Sequence, residues 1–87
     1  MTVQMELTVQ QLAALMKNAA GVAVDPEALE TAADSGFDTF GLDSLGLLGI
    51  ISDLENNHGT AMPPEAERCR TPREFIDLVN STLAAGA

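Results

Sequence analysis

The sequence predicts an all-α fold, a small antiparallel bundle of three main helices and one short helix. A long loop joins the first and second helices. Three observations carry this prediction. Thr8-Val9-Gln10-Gln11 and Thr71-Pro72-Arg73-Glu74 both read as capping boxes that open helices. Apolar residues follow each box at helical spacing. No stretch alternates as a strand does, and there are no repeats or low-complexity segments. The 87 residues fit a single domain spanning 1–87.

The first helix is predicted over 9–20. Leu7 and Leu12 hold the staple positions around the Thr8 cap, and Leu12, Leu15, Met16 and Ala19 form one face. Gly21 is a natural stop. The connection from Gly21 to Asp43 is long for so small a domain. Asp25-Pro26-Glu27 can start a short helical turn ending near Ala33, and Phe37 and Phe40 are placed to pin the loop to the core.

The second helix is predicted over 44–58, with Gly59 as terminator. Leu47, Ile50, Ile51, Leu54 and His58 fall on one face, and Leu45 and Leu48 lie off it. Gly46 and Gly49 each cost about 1 kcal/mol against Ala inside a helix. The helix therefore depends on tertiary packing, or something passes close to its backbone. Pro63-Pro64 breaks the chain, a short irregular turn is expected over 65–70, and the last helix over 72–83. Its apolar face is Phe75, Ile76, Val79 and Leu83, and Pro72 takes the favoured first position.

Composition narrows the function. Four Lys and Arg stand against 13 Asp and Glu, a formal net charge of −9. That balance argues against nucleic acid and anionic membrane surfaces, which need a basic stripe. It suits basic patches on partner proteins, and it also serves plain solubility. The single cysteine, Cys69, excludes an internal disulfide and fits the reducing cytoplasm. The N-terminal stretch has no basic segment followed by an apolar run, so no secretory leader is expected there, and no run is long enough to span a bilayer.

Catalytic chemistry finds no support. Ser44 as a nucleophile needs a base within hydrogen-bond reach. His58 is the only histidine, and one helix holding both separates them by roughly 21 Å. Cys69 and His58 do not make a zinc site, and an EF-hand loop from Asp34 meets Leu45 where its final Glu belongs. Acids are plentiful enough for paired-carboxylate chemistry, but no two are singled out by an apolar setting, and no catalytic residue or metal ligand is expected. Two readings of Asp43-Ser44 remain. The pair is an N-cap and nothing more, or Ser44 is a serine acted upon, with a phosphate ester favoured at the helix N-terminus.

FGLDSLGLL, residues 40–48, resembles the signature of the acyl carrier protein family. There, a Phe upstream and Gly-x-Asp-Ser-Leu open the second helix. The resemblance spans roughly residues 5 to 83 and includes the helix order and the acidity. Within the family, Leu45-Gly46-Leu47-Leu48 and the ending TPREFIDLVN look most like the discrete carriers of bacterial type II aromatic polyketide synthases. The resemblance implies a non-enzymatic carrier. Ser44 would receive 4'-phosphopantetheine from coenzyme A, with Gly41, Leu42, Asp43 and Leu45 supporting the motif. Growing polyketide chains would ride on the arm as thioesters.

The resemblance also implies a recognition role for the second helix, with Leu45 and Leu48 docking on partner enzymes beside Asp43, Asp53 and Glu55. Leu47, Ile51, Leu54, Met62, Phe75, Ile76 and Val79 are candidates to line an acyl-chain site, though an apolar stripe is core by default. Arg73 and Asn80 either meet polyketide carbonyls at the rim or are ordinary surface residues. Gly46 and Gly49 depart from the acidic residues commoner on this helix, and would let it flex or let the arm lie close. The implied partners are a phosphopantetheinyl transferase, a malonyl acyltransferase, ketosynthase and chain-length subunits, a ketoreductase and cyclases. The carrier itself would be a cytoplasmic monomer. A fatty-acid carrier and an unmodified acidic interaction module are the alternatives.

Overall fold

A computed structural model describes residues 7–85. Residues 1–6, over which no secretory leader is expected, lie outside the described residues. In chain order the helices are α1 (Val9–Ala20), α2 (Pro26–Thr31), a 3₁₀ turn (Phe37–Phe40), α3 (Ser44–His58), a second 3₁₀ turn (Pro64–Arg68) and α4 (Pro72–Ala85).

The local signals at Thr8 operate as written. The Gln11 N–H donates to Thr8 Oγ1 at 3.1 Å, and the Thr8 N–H donates to Gln11 Oε1 at 3.2 Å. Leu7 and Leu12 are both buried beside this cap. At α4 the box is shifted by one residue. Thr71 Oγ1 accepts from the Glu74 N–H, but the Glu74 carboxylate accepts from the Arg70 N–H rather than from Thr71's.

The short turn expected over 65–70 is a 3₁₀ turn ending at Arg68. Cys69 is already extended, at φ −63° and ψ 133°. Thr71 precedes a proline and is itself biased away from the helical region, so no helix can run through this segment into α4. α4 runs two residues beyond the expected Leu83. In the long connection α2 stops at Thr31, short of Ala33, and the first 3₁₀ turn carries Phe37 inward. Phe37 is buried and meets the fully buried Phe75 edge to face, with ring centroids 6.0 Å apart.

The two helical glycines find their reason in α1. A Cβ on Gly49 would lie 3.1 Å from the Ala19 carbonyl oxygen, and one on Gly46 would lie 3.0 Å from Ala20 Cβ and 2.7 Å from Leu42 Cδ1. The last turn of α1 is thus what passes close to α3, and this is the tertiary packing on which the helix depends. Gly49→Val is expected to lower stability by about 1–3 kcal/mol, because a backbone carbonyl cannot yield as a side chain can. Gly49→Ala should fall near neutral, since the gain of about 1 kcal/mol in helix propensity offsets the crowding. Urea unfolding of both variants checks this, and a Gly49→Val protein as stable as wild type would refute the packing account.

Asn80 closes the bundle. Its Oδ1 accepts from the Leu7 N–H and its Nδ2 donates to the Leu7 carbonyl at 3.1 Å, across 73 positions of sequence. The side chain satisfies both backbone groups where the chain enters α1. Asn80 is therefore a structural clamp at the entry to α1.

Candidate functional site

The site begins with a turn that only glycine makes easily. Gly41 sits at φ +84° and turns the chain out of the first 3₁₀ turn. Leu42 then plugs into the core, and Asp43 adopts extended backbone as the N-cap of α3. Its Oδ1 accepts from the Gly46 N–H at 2.8 Å. The cap duty thus belongs to Asp43. Ser44, the first residue of α3, is exposed and carries its hydroxyl at the positive end of the helix. Among the described residues, no protein acceptor meets the Ser44 or Leu45 N–H.

A cleft of about 470 Å³ opens beside Ser44. One wall is Gly36, Phe37 and Asp38, and the other is the end of the second 3₁₀ turn and its extended exit, Glu67 to Arg70. Leu42, Asp43 and Leu47 form the side nearest the serine. The walls are tied together at their base, where the Phe37 N–H donates to the Arg70 carbonyl at 2.7 Å. An exposed hydroxyl next to an open, partly apolar cleft fits a covalently attached chain. It does not fit a catalytic pair, since His58 ends the same helix that Ser44 begins.

The other expected site residues are divided by the fold. Of the apolar lining candidates, only Leu47 reaches this cleft. Ile51, Leu54, Met62, Phe75 and Val79 are core residues, and Ile76 is half-buried against that core. Their stripe faces the neighbouring helices, as apolar helix faces do. Among the described residues, Leu45 and Leu48 are the exposed large hydrophobics, at 76% and 41%. They lie off the face that α3 buries in the core. Asp53 is half-buried on the same helix. Glu55 has a structural duty as well: its Oε2 accepts from the Met62 N–H at 2.8 Å and ties down the loop after α3. Arg73 is paired with Asp34 at 2.6 Å, away from the cleft.

Arg68 and Arg70 were not singled out by motif, yet both line the cleft. A signal was available, since three of the four cations fall between residues 68 and 73. Cys69 lies between them, half-buried. Burial pushes its thiol up from the ordinary value, and the Glu74 charge adds to this. A raised pKa leaves less thiolate at neutral pH, so Cys69 is expected to alkylate more slowly than glutathione at pH 7, with the gap closing as pH rises. Iodoacetamide labelling followed by mass spectrometry measures this, and labelling as fast as glutathione at pH 7 would contradict it.

The profile of a family described as the phosphopantetheine attachment site matches residues 10–79. A probable acyl carrier protein of Streptomyces coelicolor is 58% identical over 81 residues, covering 93% of this chain and 90% of its own. The curamycin polyketide synthase acyl carrier protein of Streptomyces cyaneus is 55% identical, covering 94% of this chain and 93% of its own. Two solved structures share the fold. The solution structure of oxytetracycline acyl carrier protein superposes with a TM-score of 0.75 at 30% identity, over 100% of this chain and 90% of its own. The 3,5-dioxohexyl carrier protein of the Streptomyces coelicolor actinorhodin synthase, loaded with a triketide mimic, gives 0.76 at 34% identity, over 94% and 96%.

Proposed function

The chain belongs to the phosphopantetheine-attachment family of acyl carrier proteins, and from that premise we propose that it tethers the growing intermediates of a type II polyketide synthase. Ser44 is the attachment point in this reading. The observation that carries it is the exposed Ser44 hydroxyl at the head of α3, beside an open cleft and relieved of capping by Asp43.

Attachment needs little from the carrier. Ser44 Oγ attacks the phosphorus of coenzyme A that bears the pantetheine. A new O–P bond forms, the diphosphate P–O bond breaks, and 3',5'-adenosine bisphosphate leaves. The hydroxyl proton passes to a base on the phosphopantetheinyl transferase, because His58 stands at the far end of α3. When bound, the arm supplies a terminal thiol that holds acyl chains as thioesters. The chain's own residues then present and orient. Gly41 and Asp43 fix the serine at the helix head, and Leu47 offers the nearest apolar surface in the cleft. Ile51, Leu54, Met62, Phe75, Ile76 and Val79 would meet an acyl chain only if the core opened.

Carriers of this family work with synthase enzymes. We assign the malonyl acyltransferase, the ketosynthase and chain-length subunits, the ketoreductase and the cyclases to the Leu45–Leu48 face, with Asp53 as its flanking charge. Among the described residues no helix is long and apolar enough to cross a membrane, and the lone Cys69 favours a cytoplasmic setting. Leu45→Asp is expected to shift stability by no more than about 0.5 kcal/mol, because the side chain is exposed. The same change should weaken ketosynthase docking on the order of tenfold, read by surface plasmon resonance. Unchanged docking would remove this face from the proposal. Glu55→Lys is a poorer probe, since it also breaks the bond to Met62.

The reading is tested by incubating the protein with coenzyme A and a broad-specificity transferase and weighing it intact. A gain of one phosphopantetheine supports the carrier. No gain, with a control carrier modified in the same mixture, favours an unmodified interaction module.

A further inference from the structure

Resting on the carrier reading, we propose that Arg68 and Arg70 are positioning residues for the phosphodiester of the prosthetic arm, drawing the arm into the cleft rather than into solvent. The observation is one of charge. The chain holds four cations against 13 acids. Lys17 is on α1, and Arg73 is paired with Asp34. The remaining two, Arg68 and Arg70, both line the cleft that Ser44 lines, and among the described residues neither is ion-paired.

Their placement is built by the backbone. The extended Cys69 puts Arg68 and Arg70 either side of it, and both reach the same cleft. Arg70 is held twice: its carbonyl accepts from the Phe37 N–H at 2.7 Å, and its N–H donates to Glu74 Oε1 at 2.9 Å. The stem of Arg70 therefore leaves from a fixed point of the backbone, and its planar guanidinium loses little freedom per hydrogen bond formed.

The ligand chemistry follows. A phosphodiester on Ser44 is an anion at every working pH, and guanidinium groups grip phosphate oxygens in pairs. The remaining charges of the cleft are negative. Asp43 is engaged with the Gly46 N–H, while Asp38 and Glu67 would repel the phosphodiester. The arginines are the cleft's only cations, so they decide on which side the phosphodiester settles. With its root held there, the pantetheine runs along the cleft past Leu47. A partner enzyme offering its own cations can draw it out again, which makes the retention salt-sensitive.

The test uses the full chain carrying the arm. Wild type, the Arg68→Gln/Arg70→Gln double variant and the Arg68→Lys/Arg70→Lys double variant are each treated with coenzyme A and transferase, and intact mass shows which carry the group. Failure of wild type to load would overturn the carrier reading itself. On loaded proteins, the phosphorus NMR shift is compared with that of the same protein unfolded in urea. Wild type is expected to show a distinct folded-state shift, most of it lost in the Gln variant and kept in the Lys variant. Unchanged shifts in the Gln variant would overturn the proposal, as would equal loss in both variants, since charge would then not be the cause. Wild type alone gives a second measure that needs no variant. About 1 M NaCl, where charges are screened beyond roughly 3 Å, should move the folded shift toward the unfolded one, and a salt-independent shift would also overturn the proposal.

Discussion

Ser44→Ala is expected to take up no phosphopantetheine while unfolding at the same temperature as wild type. The two halves of that result come from different parts of the structure. The chemical half follows from the loss of the only hydroxyl at the head of α3, where the cleft opens. The thermal half follows from the division of labour with Asp43, whose Oδ1 already accepts from the Gly46 N–H. Removing an exposed hydroxyl with no capping duty should change stability by no more than about 0.5 kcal/mol. Intact mass after transferase treatment, with circular dichroism melting alongside, reads both. A Ser44→Ala protein that still gains one phosphopantetheine would move the attachment elsewhere. A protein that fails to fold would make Ser44 a structural residue after all.

Phe75→Ala is expected to cost about 3–5 kcal/mol of folding stability. Phe75 is fully buried and is one of three aromatic residues in the chain. Its ring edge packs on Phe37, with centroids 6.0 Å apart and planes at 80°. A domain of this size has only about 4–13 kcal/mol in total, at roughly 0.05–0.15 kcal/mol per residue. The loss is therefore a large share of everything that holds the bundle together. It also reaches the site, because Phe37 forms one wall of the cleft and its N–H binds Arg70 on the other. Urea unfolding gives the cost directly. Phe75→Leu, which keeps most of the volume, should lose far less. A Phe75→Ala cost below about 1 kcal/mol would mean that the site collapses without leaving a cavity, and that Phe75 does not hold the walls.

Much of this protein is written locally in its sequence. The helix starts at Thr8 and Asp43 depend on bonds to groups three residues on, so the residues that make them can be read in one glance along the chain. The stops at Gly21 and Gly59 are equally local, since each needs one backbone state that glycine adopts freely. The exposure of Ser44 is legible for the same reason. A residue following an N-cap and lying off the apolar stripe has nowhere to go but outward.

The rest was settled by residues distant in sequence that packing brings together. Gly46 and Gly49 read as a cost until the carbonyl of Ala19, thirty positions before Gly49, is seen where a Cβ would go. Asn80 looks like a surface amide until it meets both backbone groups of Leu7. Glu55 looks like a docking acid alone until its carboxylate is found on the Met62 N–H as well. Arg68 and Arg70 look like scattered charges until the fold turns both into the cleft of Ser44. Periodicity reports which face of a helix is apolar but not what lies across from it. A backbone group left unpaired at a chain entry, or a gap too narrow for one methyl, exists only once two helices have met. Sequence determined where the helices begin and which hydroxyl faces water, because those depend on neighbours along the chain. Tertiary structure decided which side chains are free to serve that hydroxyl, because each of them first had to be released or claimed by a partner far away.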